Sequence, residues 1–326
     1  MKFPWNKVNK ENYNSVKPSS VILDEAFNNT FITPPQFKYE VKSYPDGSKY
    51  VIVKKMTNNL TFRLNTYEDL WILNQIHDVV KKADWKVTVT VPNLIEAQSD
   101  RRFDIAQPFG LKLVLEFLKG MENFDYKIFH PHNSEVVEAI LDGRVEIIDN
   151  RDFINHVFFH ISNHKSFMDF VTKRESFIYN NDEGVQIPNN LVVLLPDGGA
   201  YKWGVKLMDK LGFNGDVVAA SKNRQYVDGK SKLVQQLPNY DFNGKDILII
   251  DDICIYGGTF KGLSKMLKEH NCGKLYLAVS HMTVQNLGEN PITDYFDKIY
   301  TTNSKYNVYY GRDDFESKNL EIINLF

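Results

Sequence analysis

Residues 246–267 read DILIIDDICIYGGTFKGLSKML. An apolar run, Ile247 to Ile250, ends in two adjacent carboxylates, Asp251 and Asp252. After four intervening residues come Gly257-Gly258-Thr259, followed by an amphipathic stretch. A continuous apolar run bounded by a glycine turn reads as a strand buried on both faces, as in a parallel sheet, and the stretch after the turn reads as a helix. Ligands of open α/β sheets bind beyond the carboxyl ends of the strands. The acids and the glycine pair stand at such an end, so this segment sets both the fold class and the place to look for a site.

The same rhythm extends outward. KYVIVKKM, KVTVTVPNL, YKIFHPH, NLVVLLPDGG, DVVAASK and KLYLAVSHM read as strands, and YEDLWILNQIHDVVKKA, PFGLKLVLEFLKGM and AYKWGVKLMDKLG as helices between them. The pattern predicts an α/β protein of two tandem domains, each a mostly parallel sheet flanked by helices. The first spans residues 1–155 and the second 156–326, with the tail after Tyr300 placed to pack back on the first domain. The polar segment after Ser221, YVDGKSKLVQQLPNYDFNGK, reads as a mobile loop.

The chain has 326 residues, 43% hydrophobic and 25% charged, with a net charge of −2. It is long enough for two ordinary domains. Its near-neutral balance excludes a general attraction to nucleic acid or anionic membrane. No apolar run reaches the length of a bilayer span, and MKFPWNKVNKENYNSVKPSS has no signal-peptide core. Cys254 and Cys272 make neither a disulfide framework nor a zinc pattern, so a reducing, cytoplasmic setting is expected.

Two further strand ends carry chemistry. Pro196-Asp197-Gly198-Gly199 precedes a helix, and paired glycines at a helix start let backbone N–H groups approach an anion. Asp197 beside them suits Mg²⁺ bridging phosphates. Ser221, Lys222 and Arg224 follow the next strand. Taken singly, an Asp-Gly-Gly turn, a basic loop end or two acids before a helix is ordinary. Their order within one domain is not.

ILIIDDICIYGGT resembles the phosphoribosyl-diphosphate (PRPP) binding motif of type I phosphoribosyltransferase folds. Most of the chain resembles one branch of them, the ribose-phosphate pyrophosphokinases or PRPP synthetases. YPDGSKYV (residues 44–51) resembles that family's nucleotide loop, and VPNLIEAQSDRR (91–102) its ATP-holding stretch. HPHNSEVVEAI, PDGG, SKNR, SHM and TTNS fall in the family's order.

The resemblance implies transfer of the β,γ-diphosphoryl of ATP to the C1 hydroxyl of a 5-phosphorylated ribose, releasing AMP. It implies Lys222 and Arg224 as the catalytic cations, and Asp251 and Asp252 as acceptors for the sugar hydroxyls. Gly257, Gly258 and Thr259 would cradle the 5-phosphate beside Tyr256, and Asp197, Gly198 and Gly199 would form the pyrophosphate loop. Tyr44, Asp46, Gln98, Asp100, Arg101 and His132 would hold ATP. His132 and Asp197 would ligate Mg²⁺. Family members are homo-oligomers, so a dimer or hexamer is implied, with the Tyr44–Ser48 loop completing a neighbour's ATP site.

Several positions depart from the family. Ile255-Tyr256 replaces Asp-Thr, Ser48 replaces Glu, Gln98-Ser99 replaces Arg-Gln, and His130 replaces Asp. The aromatic and apolar pair beside the 5-phosphate turn favours a larger acceptor, ADP-ribose, as in rebuilding NAD. Ribose 5-phosphate is the alternative. A phosphoribosyltransferase and an inactive regulatory homologue are the rival readings. His156, His160 and His164 recur every four residues, but without an acidic partner they read as packing histidines, and His281 is read either as near the site or as packing.

Overall fold

The computed structural model describes residues 36–102, 104–162, 190–227, 230–283, 291–308 and 319–326. An antiparallel hairpin, β1 (Lys38–Ser43) and β2 (Lys49–Lys55), leads into β3 (Asn59–Thr61). Helix α1 (Tyr67–Lys82) follows, started by a capping box. The Asp69 amide donates to Thr66 Oγ1, and the Thr66 amide donates to Asp69 Oδ2. Then come β4 (Val87–Val91), α2 (Gly110–Lys119), β5 (Phe124–Phe129), α3 (Ser134–Leu141) and β6 (Val145–Ile148). The order β3-β4-β5-β6 is parallel throughout. Along β4, Val87, Val89 and Val91 are buried while Thr88 and Thr90 are half-buried. They share one core with Leu73 and Ile76 of α1 and with Leu115 and Leu118 of α2.

The second sheet is built from β7 (Leu191–Leu195), β8 (Val217–Ala219), β11 (Asp246–Cys254), β12 (Leu275–Met282), β13 (Lys298–Thr302) and β14 (Leu320–Ile323). Its order is β14-β13-β12-β11-β7-β8, again all parallel. Successive side chains of a strand face opposite sides. Accordingly Val192, Leu194, Ile247 and Ile249 pack with α6 (Gly258–Glu269), while Val193, Leu195, Leu248 and Ile250 pack with α4 (Arg151–Ile161) and α5 (Gly198–Lys210). Burial on both faces explains why β7, β11 and β12 are apolar runs rather than alternating ones.

Two expectations shift. Helix α4 straddles the 155/156 boundary and buries Phe153, Ile154, Val157 and Phe158 against the second sheet. The division therefore falls just before Arg151. The segment after Ser221, read as a loop, contributes to a second antiparallel hairpin, β9 (Ser221–Val227) with β10 (Lys230–Gln236). Its strands are polar and lie outside the six-stranded sheet, so hydrophobic periodicity does not reveal them.

The two sheets meet through polar side chains and the tail. The Arg63 Nε donates to the Asn303 carbonyl at 3.1 Å. Asn303 Oδ1 accepts from the Leu325 and Phe326 amides, and the Phe326 ring lies 5.0 Å from Phe129 at the end of β5. No helix among the described residues is long and apolar enough to cross a membrane.

Candidate active site between the two sheets

The opening segment ends where the pattern places it. Asp251 and Asp252 lie near the end of β11, and Gly257 caps α6 with φ +72°. A Cβ there would come within 2.7 Å of Ile292 Cδ1, so both the left-handed backbone and the close approach require glycine. Gly258 has open space around its Cα and starts the helix. Backbone N–H groups at this turn are free of intrahelical partners and offer a place for an anion. Tyr256 stands beside it with 74% of its surface exposed. Lys222, on β9, points its ammonium at this turn: Nζ lies 3.4 Å from Thr259 Oγ1.

The two acids differ. Asp252 is 7% exposed, and His132 Nδ1 lies 2.5 Å from its Oδ2. Burial pushes this carboxyl up, but the hydrogen bond and charge of His132 outweigh it and hold it well below the usual carboxylate range. Burial, reinforced by the neighbouring Asp252 charge, pushes Asp251 the other way. Asp251 Oδ1 also accepts from the Asp252 amide at 2.9 Å. The hydrogen bond to Asp252 raises His132 above the ordinary imidazole value. One carboxylate is thus committed to the first domain, and the other is the more readily protonated of the pair.

The first domain contributes through the loop after β4 and the loop after β5. Asp100 is buried; its Oδ2 accepts from Asn133 Nδ2 at 2.8 Å and its Oδ1 from Arg101 Nε at 3.1 Å. Asn133 Oδ1 in turn accepts from the Val136 amide and caps α3. Asp100 therefore anchors the segment that carries His132. Gln98, His132, Asp252 and Ile255 line one cavity of about 250 Å³ between the domains. Tyr44 and Asp46 do not line it. They form the tip of the β1–β2 hairpin, where Asp46 Oδ1 accepts from the Ser48 amide and hydroxyl and the Tyr44 ring packs 4.5 Å from Tyr50.

In the PDGG loop, Asp197 caps α5: its Oδ1 accepts from the Gly199 and Ala200 amides. Lys202, which follows the glycines, is drawn to Glu135 of the first domain at 2.9 Å. Among the described residues no group of three or more histidines, cysteines or acids is gathered to hold a metal. Mg²⁺ is commonly bound through one or two carboxylates with substrate phosphates and water completing its shell, so Asp197 is a donor of the kind it takes, whereas the His132 imidazole is not a usual one. Asp197 Oδ2 and His132 Nε2 are the atoms left after the contacts above.

Some participants were not legible in the sequence. His130 Nδ1 lies 2.7 Å from Ser280 Oγ, and His281 Nε2 lies 3.1 Å from the His130 carbonyl. His281 Nδ1 also meets Ser304 Oγ at 2.9 Å. His281 is thus both a packing group and a cavity wall, and its neighbours are the SHM and TTNS stretches. The Arg224 backbone lies in β9 and pairs with Leu233, while its side chain is outside the described residues. Of the three spaced histidines, His160 pairs with Glu321 at 3.2 Å, His156 is partly buried, and His164 lies outside the described residues.

The phosphoribosyl transferase domain family matches residues 161–313. The chain is 27% identical to the ribose-phosphate pyrophosphokinase of Sulfolobus acidocaldarius over 278 residues, covering 82% of this chain and 84% of that one. To the enzyme of the same name from Sulfurisphaera tokodaii it is 26% identical, covering 84% and 86%. Its fold is similar to the crystal structure of the phosphoribosylpyrophosphate synthetase of Mycobacterium smegmatis, with a TM-score of 0.65 at 16% identity, covering 88% and 86%.

Proposed function

We propose that this chain, which belongs with the ribose-phosphate pyrophosphokinases, moves the β,γ-diphosphoryl group of ATP to the C1 hydroxyl of a 5-phosphorylated ribose and releases AMP. The observation that carries the reading is Lys222 beside Thr259, a cation from one element meeting the phosphate turn of another. Diphosphoryl transfer needs little covalent help from the protein, so positioning and charge supply most of the catalysis.

The residues divide the work by place. The turn at Gly257–Thr259 holds the 5-phosphate, and Asp251 accepts a sugar hydroxyl. Asp252, fixed by His132, links the acceptor site to the ATP-facing loop of the first domain. Lys222, with Arg224 two residues further on, neutralises the oxygens of the group in transit. Mg²⁺ carried in with ATP would add charge neutralisation at the phosphates, and Asp197 and His132 are the side chains that would hold it.

For the acceptor, we favour ADP-ribose. Tyr256 presents an unpacked ring next to the 5-phosphate turn, and Ile255 replaces an acid in the cavity wall. A free 5-phosphate is a dianion that calls for many donors, whereas an esterified one carries less charge and continues into a second group. Ribose 5-phosphate is the alternative, supported by the names of the relatives. Incubation with ATP, Mg²⁺ and either acceptor, with products identified by mass, separates the readings. AMP with ADP-ribose pyrophosphate supports the first and AMP with PRPP the second. No AMP with either acceptor overturns the diphosphoryl transfer.

A further inference from the structure

The loop that carries His132 has a backbone its own domain does not account for. His130 has φ +35°, a left-handed conformation that residues other than glycine rarely adopt. Such a conformation persists only where the surroundings over-determine it. The first domain fixes the two ends of the loop. The His130 amide donates to the Ile148 carbonyl of β6 at 2.8 Å, and Asn133 is tied to Asp100. Between those ends the holds come from the second domain.

His281, 6% exposed near the end of β12, is the central one. Its Nε2 lies 3.1 Å from the His130 carbonyl and its Nδ1 2.9 Å from Ser304 Oγ. These partners assign the tautomer. A carbonyl only accepts, so Nε2 carries the proton and donates it, and in the neutral ring Nδ1 accepts from the Ser304 hydroxyl. The other neighbour of that hydroxyl, the Ser280 carbonyl at 3.1 Å, is already served by Thr302 Oγ1 at 2.7 Å. The His130 ring is held as well: its Nδ1 lies 2.7 Å from Ser280 Oγ, and it meets Trp203 of α5 edge-on at 4.9 Å.

Ile253 pairs with His281 in the parallel register of β11 and β12, and Asp252 is one residue before it. The second sheet therefore grips the loop at two points, the His130 carbonyl by His281 and the His132 ring by Asp252, and strand pairing sets the spacing between them. We propose that His281 is a positioning residue: held by Ser304 and donating to the His130 carbonyl, it fixes the bent backbone that presents His132 to Asp252. It acts through the loop rather than on the reacting groups. Its effect on turnover rests on the reaction proposed above, whereas its effect on the His132–Asp252 bond does not.

The test reads that bond directly. The proton between His132 Nδ1 and Asp252 Oδ2, held in a contact of 2.5 Å, is followed by NMR in protein carrying isotope-labelled histidine, and His132→Ala identifies its signal. His281→Phe keeps a ring against Phe129, which His281 meets at 5.4 Å, but has no donor, and the signal is expected to disappear. His281→Gln, whose amide extends about as far as Nε2 and still donates, should keep it. The rate of AMP release should fall about tenfold or more in His281→Phe, yet less than about twofold when the same change is made in His132→Ala, because a residue acting through His132 then has nothing to act on. Where His281→Phe does not fold cooperatively, Ser304→Ala replaces it, and loss of the hydroxyl that fixes the ring should shift or broaden the signal. A signal unchanged in the variant read, a signal lost equally in His281→Gln, or an equal fall in rate in both backgrounds overturns the proposal. Absence of AMP release by the wild type would overturn the transfer reaction and leave the NMR result standing.

Discussion

His132 of the first domain and Asp252 of the second share a hydrogen bond of 2.5 Å across 120 residues of sequence, and the carboxylate end of it is buried. Removing one partner of a buried, hydrogen-bonded charge leaves the other uncompensated, which is more damaging than losing the pair. His132→Ala is expected to cost about 2–3 kcal/mol in urea unfolding, below the fully buried range because the imidazole is partly exposed. His132→Asn, whose amide can donate to Asp252, should recover more than half of that. Equal losses for the two variants would show that the contact contributes only packing.

Lys222 faces Thr259 rather than a carboxylate, so its charge is available to a phosphate. Lys222→Ala should lower the rate of AMP release by roughly 10²–10³-fold, the usual effect of removing one preorganised charge donor. The melting temperature should stay within a few degrees of wild type, since an exposed contact at 3.4 Å contributes little to folding. Wild-type turnover in this variant would remove Lys222 from the mechanism.

Tyr256 decides the acceptor. Its ring is exposed and could stack on the group beyond an esterified 5-phosphate for about 1–3 kcal/mol. Tyr256→Thr should therefore lower kcat/KM for ADP-ribose by about tenfold or more, with ribose 5-phosphate unchanged or improved. A parallel change for both acceptors, in a wild type that prefers ribose 5-phosphate, would leave ordinary PRPP synthesis as the function.

His281 makes stability depend on acid. Burial lowers its imidazole to about 4, and the unfolded value is near 6.5. A group whose folded pKa is depressed contributes stability that is full above the unfolded value and is lost as pH falls toward the folded one. Unfolding free energy should thus fall between pH 6.5 and 4, with His281 contributing up to about 3 kcal/mol. His130, buried beside it and also lowered to about 4, adds to the same slope. His281→Asn should flatten the profile in a series of urea titrations; an unchanged slope would mean that His281 already titrates normally in the fold.

The Tyr44–Ser48 tip does not line its own chain's cavity, and the resemblance implies that it completes the ATP site of a neighbouring subunit. Light scattering is expected to show at least a dimer. A strictly monomeric, fully active protein would contradict that arrangement.

The sequence by itself determined what depends on neighbours along the chain. The apolar runs of β7, β11 and β12, the glycine turn at Gly257-Gly258 and the Asp197 cap before α5 are local patterns, because strand burial, left-handed backbone and helix capping are set within a few residues. Short or polar elements such as β6, β9 and β10 escaped because their stability comes from pairing rather than from periodicity. The site was legible only in parts. The acids were visible, but their division into one fixed by His132 and one pushed up by burial required the two sheets to meet. Arg63 with Asn303 and His130 with Ser280 join residues 240 and 150 positions apart. No local rule encodes such pairs: only the packing of one domain on the other decides which polar groups are matched.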